Sequence, residues 1–149
     1  MLGLDTPVLP VTCIFDIAPS IARRQRKASG VGCVGADGTP LILFHCHGSA
    51  NQSWTLTNGQ IVGIGGSCVD VQGSTPIGGS PAILVHCDGA PSQRWNILNG
   101  NISGIGGKCL DVLEETGNDR TPIILAPCAG RPTEQWAAQW PARLHVRNA

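Results

Sequence analysis

Ile64-Gly65-Gly66-Ser67-Cys68-Val69-Asp70-Val71 recurs forty-one residues later as Ile105-Gly106-Gly107-Lys108-Cys109-Leu110-Asp111-Val112. The same interval separates Trp54, Trp95 and Trp136, and also Cys46, Cys87 and Cys128. A fixed period of this length marks a repeat architecture. Aligned on the tryptophans, Gly38-Thr39-Pro40-Leu41-Ile42-Leu43 matches Gly79-Ser80-Pro81-Ala82-Ile83-Leu84 and Arg120-Thr121-Pro122-Ile123-Ile124-Leu125. Each unit closes on one motif: Gln52-Ser53-Trp54, Gln93-Arg94-Trp95 and Glu134-Gln135-Trp136.

Locally the units read as strands. Cys68-Val69-Asp70-Val71 and Ala82-Ile83-Leu84-Val85 are short, apolar or β-branched, and bounded by Gly, Pro and Ser. Asn58-Gly59 and Asn99-Gly100 follow the first two tryptophans. Asn-Gly between strands is a strong hairpin signal, because both residues tolerate positive φ. No helical period of useful length appears. The reading is an all-β fold of three units, about four strands each, closing on a pseudo-threefold axis. Counting three periods back from the C-terminus starts the first unit near Lys27. Residues 1–26 then form an N-terminal extension or linker, and residues 27–149 form the repeat domain. Arg23, Arg24, Arg26 and Lys27 at the junction read as a solvated linker, since no aromatic interleaves them as nucleic-acid binding would need.

Composition agrees. The 149 residues set one domain as the expectation, and 20 glycines and 11 prolines supply tight turns. Ten basic and ten acidic residues balance, which leaves no footprint for nucleic acid or an anionic membrane. No apolar run approaches the roughly 20 residues of a membrane span. Seven cysteines point to disulfides and an oxidising, extracellular setting. Residues 1–10 do not read as a secretory leader, so that placement rests on the cysteines.

With three in-phase Gln-x-Trp-type closings, the Cys-x-Asp openings and the Gly-Thr-Pro turn, residues 27–149 resemble the ricin B-type β-trefoil lectin domain, also found as family-13 carbohydrate-binding modules. The resemblance implies a β-trefoil with up to three shallow sugar sites, no catalysis, no cofactor and no metal. It implies a polysaccharide or a galactose- or xylose-type sugar as partner, and a module that targets a larger secreted enzyme or toxin. It also implies that each unit bridges its own cysteines, giving Cys68–Cys87 and Cys109–Cys128. Cys33–Cys46 is then the expected third pair, although Cys33 sits six residues late, and Cys13 is the odd thiol.

The same resemblance lets each unit be scored as a sugar site. The expected set is an Asp two residues after the first Cys, an aromatic two before the second, an Asn three before the Trp, and a Gln that braces the Asp. The second unit has Asp70 and Gln93, with Val85 and Ser92 at the other positions. The third has Asp111, with Ala126, Thr133 and Glu134. Glu134 cannot brace Asp111 as Gln would unless one carboxyl is protonated. The first has Phe44, Asn51 and Gln52 but lacks the Asp; Ser29 or Gly35 holds its place, and Asp37 is a nearby substitute. No unit is complete on this count, and several weak sites would act through avidity on a polymer.

Blander readings stand beside these. Asp70 and Asp111 also suit a turn role, bonding nearby backbone. Phe44 suits packing as well as stacking. A structural or protein-interaction trefoil with degenerate sugar sites is the competing function. His45-Cys46-His47 resembles a metal cluster, but His86 repeats His45 beside a cysteine expected to be bridged. Gly106-Gly107-Lys108 lacks the earlier glycine of a phosphate loop, and neither a Gly-x-Ser-x-Gly elbow nor a His-Glu-x-x-His helix is present. Glu114-Glu115 reads as surface. Trp140-Pro141 replaces the third Asn-Gly turn, and Arg143 to Val146 is the expected last strand. The first strand of unit one is hard to find, so both weak elements are expected on the seam where the chain ends meet.

Overall fold

The computed structural model describes residues 12–17, 37–45, 50–115, 117–139 and 143–146. Within them twelve strands follow in order: β1 (Thr12–Ile17), β2 (Thr39–His45), β3 (Thr55–Thr57), β4 (Gln60–Val62), β5 (Ser67–Val71) and β6 (Ala82–His86). They continue with β7 (Asn96–Leu98), β8 (Asn101–Ser103), β9 (Cys109–Val112), β10 (Ile123–Ala126), β11 (Trp136–Gln139) and β12 (Arg143–Val146). All pairings between them are antiparallel. The strand orders are β10-β9-β8-β7 and β11-β12-β1-β2-β6-β5-β4-β3.

The turn chemistry behaves as the residue types require. Asn58 and Gly59 have φ of 50° and 77°, and Asn99 and Gly100 have 52° and 84°, as a type I′ hairpin demands. Trp54, Trp95 and Trp136 sit at the starts of their hairpins and are buried. The Trp54 and Trp95 rings lie against Gly63 and Gly104, where an added Cβ would come within 2.3 and 2.6 Å of a ring carbon. Glycine is needed at both positions for that close approach. The Trp95 and Trp136 indoles donate to the Val69 and Leu110 carbonyls at 3.0 and 3.1 Å, so the buried N–H groups are satisfied.

Three backbone bonds show the threefold closure. Gly38 N–H donates to Leu84 O, Gly79 N–H to Leu125 O, and Arg120 N–H to Leu43 O, each at 2.7 Å. Donors and acceptors are each related by the 41-residue period, so every unit hands its first turn to the next and the third returns to the first. The buried face of this ring is one cluster that includes Leu41, Leu43, Val69, Leu84, Leu110 and Leu125 with the three tryptophans. Each such aliphatic side chain contributes roughly 1.5–3 kcal/mol on burial. The fold is a β-trefoil.

The first and last described strands pair with one another as expected, and Arg143–Val146 is the last strand among the described residues. It pairs with β1, through His145 opposite Cys13 and Val146 opposite Thr12. Thr12–Ile17, upstream of the boundary read at residue 27, is thus one of the paired strands. The first unit is completed by Thr12–Ile17, far upstream, and by the hairpin β11–β12 that follows Trp136. A ring of strands must close on itself, so the terminal strands are shared to build one unit.

Candidate functional site

In the second unit, Asp70 on β5 (Ser67–Val71) faces Gln93 from the 3-10 turn Pro91–Gln93. Both are buried. Gln93 donates from Nε2 to Asp70 Oδ2 at 3.1 Å and to the His86 carbonyl at 2.9 Å. Its Oε1 accepts the Asp88 and Gly89 amides at 3.0 and 3.2 Å and the Gln60 amide at 3.1 Å. One side chain thus ties strand, loop and hairpin together. Asp70 Oδ1 accepts the Val71 amide at 2.6 Å. Local backbone bonding and bracing are both present, one on each carboxylate oxygen. Ser92 is buried and its Oγ has no hydrogen-bond partner. Val85 lies half-buried at the position where the family pattern has an aromatic.

The third unit repeats the backbone and changes the chemistry. Asp111 Oδ1 accepts the Val112 amide at 2.7 Å. Glu134 is fully buried, and its oxygens accept the Ala129 and Arg131 amides at 2.8–3.1 Å, the capping role that Gln93 Oε1 fills. A carboxylate has no N–H to give Asp111. The sequence alone left protonation as the one escape, and the structure supplies another. Arg131 donates from Nε and Nη2 to Asp111 Oδ2 at 3.1 and 2.8 Å. It also reaches Glu134 Oε1 at 3.4 Å and Glu115 Oε2 at 2.7 Å. The hydrogen bond to Asp111 raises the Arg131 pKa above its ordinary value. Glu115 therefore pairs with Arg131 at an exposed edge. Thr133 Oγ1, like Ser92 Oγ, is buried without a partner.

The first unit places Phe44 half-buried on β2 (Thr39–His45), with Asn51 and Gln52 on the turn Ala50–Gln52. Gln52 is fully buried, as are Gln93 and Glu134. Asp37 is committed elsewhere. Its Oδ1 accepts the His86 amide at 2.6 Å and its Oδ2 lies 2.7 Å from His86 Nδ1, which clamps the first unit to the second. That side-chain bond lowers the Asp37 pKa and raises that of His86. Ser29, Gly35, Cys33 and Cys46 lie outside the described residues, and with them the expected Cys33–Cys46 bridge.

The register of β1 (Thr12–Ile17) supplies what the sequence reading missed. Cys68 lies opposite Val85, Cys109 opposite Ala126, and Cys13 opposite Phe44. Asp70 lies opposite Ile83, Asp111 opposite Ile124, and Asp16 opposite Ile42. Asp16 therefore occupies the Asp70 and Asp111 position of the first unit. A register shift between Ile14 and Asp16 inserts one residue, which turns Cys-x-Asp into Cys13-Ile14-Phe15-Asp16. The unmatched Cys13 was the signal that could have led there.

The bridges Cys68–Cys87 and Cys109–Cys128 are formed, with S–S distances of 2.01 and 2.02 Å. They fit an oxidising compartment. Among the described residues, no group of three or more His, Cys, Asp or Glu is arranged to hold a metal ion, and no helix is long and apolar enough to cross a membrane.

These features define a β-trefoil lectin domain. The profile of the ricin-type beta-trefoil lectin domain matches residues 32–136, and the chain belongs to that family. The family is one of lectin domains, which supports carbohydrate binding. No curated protein sequence matches it. Its fold is similar to that of the designed 3-fold symmetric protein ThreeFoil, with a TM-score of 0.63 and 25% identity over 74% of this chain and 84% of that one. It is also similar to the earthworm R-type lectin C-half in complex with GalNAc, with a TM-score of 0.60 and 15% identity over 85% and 95% of the two chains. A non-toxic homologue of type II RIPs from Momordica charantia (bitter gourd), in complex with α-methyl-D-galactoside, gives a TM-score of 0.62 and 20% identity. This chain is covered to 95% in that match and spans 49% of the bitter gourd chain.

Proposed function

We propose that the protein binds a galactose-type sugar without catalysis, principally through its first unit, using Asp16, Phe44, Asn51 and Gln52. The observation that carries this reading is the β1–β2 register, which puts Asp16 at the position of Asp70 and Asp111. The first unit then joins an acceptor for sugar hydroxyls, an aromatic face for the apolar side of the ring, an amide and a brace. The second unit is a weaker site. Gln93 braces Asp70 there, but Ser92 Oγ is buried and Val85 provides no ring to stack on. The ligands in the earthworm and bitter gourd complexes, GalNAc and α-methyl-D-galactoside, favour a galactose-type sugar over a xylose type. A role as the targeting module of a larger secreted protein agrees with the half-length match to the bitter gourd chain and with the two disulfides.

The test is an NMR titration of ¹⁵N-labelled protein with methyl α-D-galactoside and N-acetylgalactosamine. Saturable shifts are expected at residues 44, 51 and 52, with smaller ones at 70, 92 and 93. Asp16→Asn should weaken first-unit binding at least tenfold and leave the second-unit response unchanged. An unaltered first-unit response in Asp16→Asn overturns the assignment. Silence toward every sugar tried at high millimolar concentration leaves the structural, protein-interaction reading in its place.

A further inference from the structure

We infer that the third unit is a closed sugar site, with Arg131 as its built-in occupant holding the carboxylate that a sugar hydroxyl would otherwise take. This rests on the carbohydrate reading above and deepens it, because it fixes which units are open.

Two sites on one repeated backbone treat the same aspartate differently. In the second unit, Asp70 Oδ2 receives a single bond among the described residues, from Gln93. Each carboxylate oxygen accepts about two hydrogen bonds, so Asp70 keeps room for a ligand hydroxyl. In the third unit, Asp111 Oδ2 receives two bonds from one guanidinium, at 3.1 and 2.8 Å, and its acceptor capacity is filled. The side chain that does this replaces Ala90 of the second unit, forty-one residues earlier. It stays because of what stands behind it. Glu134 is fully buried in place of Gln93, so Asp111 and Glu134 together need a cation between them. Glu115 at 2.7 Å and the Pro127 carbonyl at 3.4 Å hold the guanidinium from its outer side. A neutral sugar hydroxyl offers no charge to compensate the two carboxylates, so it cannot displace the arginine on equal terms. The glutamate and the arginine form a matched pair of changes, which together convert an acceptor for sugar into an internal salt bridge.

A gain of function tests this. Arg131→Ala alone strands two buried carboxylates and is expected to unfold the unit. Arg131→Ala/Glu134→Gln instead recreates the Ala90, Gln93 and Asp70 set that this chain already folds. Both this variant and the wild type are titrated with methyl α-D-galactoside and N-acetylgalactosamine, following amide shifts. The wild type should show no saturable shift at residues 111 and 129–134. The double variant should acquire one there, of the size and affinity seen at residues 70 and 88–93. If the folded double variant responds in the second unit and not in the third, Arg131 is not what closes the site and the inference is overturned. A wild type that already responds at 111 and 129–134 overturns it as well. A response in the double variant's third unit with silence in the first keeps the inference and rejects the first-unit assignment. Silence everywhere in both proteins rejects both.

Discussion

The second and third units share strands, turns and a disulfide, yet they satisfy the same buried aspartate in opposite ways. Asp70 is braced by a neutral amide that also holds three neighbouring N–H groups. Asp111 is braced by a cation that must also neutralise Glu134 and is shared with Glu115. A one-atom change, amide nitrogen to carboxylate oxygen, removes a donor and adds a charge. The fold tolerates that only with a compensating guanidinium. The difference teaches that an intact backbone motif does not imply an intact binding site.

The sharpest way to break this comparison is to move the third unit's glutamate into the second. Gln93→Glu should cost about 3–5 kcal/mol, since it buries a second carboxylate against Asp70 with no cation beside it. Its denaturation midpoint should recover as the pH falls and a proton enters the pair. Ala90→Arg in the same chain should restore much of the loss at neutral pH. If urea titration finds Gln93→Glu as stable as the wild type, the requirement for Arg131 is wrong.

A smaller effect is expected where the units hand over to one another. Gly38 and Gly79 take φ of 87° and 91° at this junction, while Arg120 takes 73° at the equivalent place. A left-handed conformation costs a side-chain-bearing residue about 1–2 kcal/mol, and glycine returns part of that gain through its freer unfolded chain. Arg120→Gly should therefore raise the urea midpoint modestly, by the equivalent of about 0.5–1 kcal/mol. A lowered midpoint would show that the Arg120 side chain contributes more than its backbone strain costs.

The smallest effect concerns the exposed Asp37–His86 clamp, which joins the first unit to the second. The bond raises the His86 pKa, so its contribution is full below the ordinary histidine value of about 6.5 and is lost as the pH rises through the raised folded value. The lowered Asp37 pKa sets the other limit: the contribution fades as the pH falls through that depressed value. An NMR titration of the His86 ring should give a lower pKa in Asp37→Asn than in the wild type. An unchanged value would mean that the clamp does not persist in solution.

Much of the scaffold was legible because its signals are local. Asn58-Gly59 and Asn99-Gly100 specify their turns through φ alone, and the 41-residue spacing of tryptophans and cysteines needs no partner to be recognised. The pairs Cys68–Cys87 and Cys109–Cys128 were carried over from the family and are formed. Asp16 was not legible, because the bulge beside it breaks the Cys-x-Asp spacing and a long stretch of chain separates it from β2 (Thr39–His45). Arg131 was not legible either. Nothing in Arg131-Pro132-Thr133-Glu134 says that the guanidinium folds back onto Asp111, twenty residues earlier.

By itself, then, the sequence determined the repeat, the hairpins, the buried tryptophans and the class of fold, since periodicity and turn chemistry act over a few residues. Only the tertiary structure decided which aspartate belongs to the first unit and which carboxylate already has a cation. Strand register and side-chain charge pairing depend on which segments meet across the sheet, and those meetings are fixed by closure of the ring.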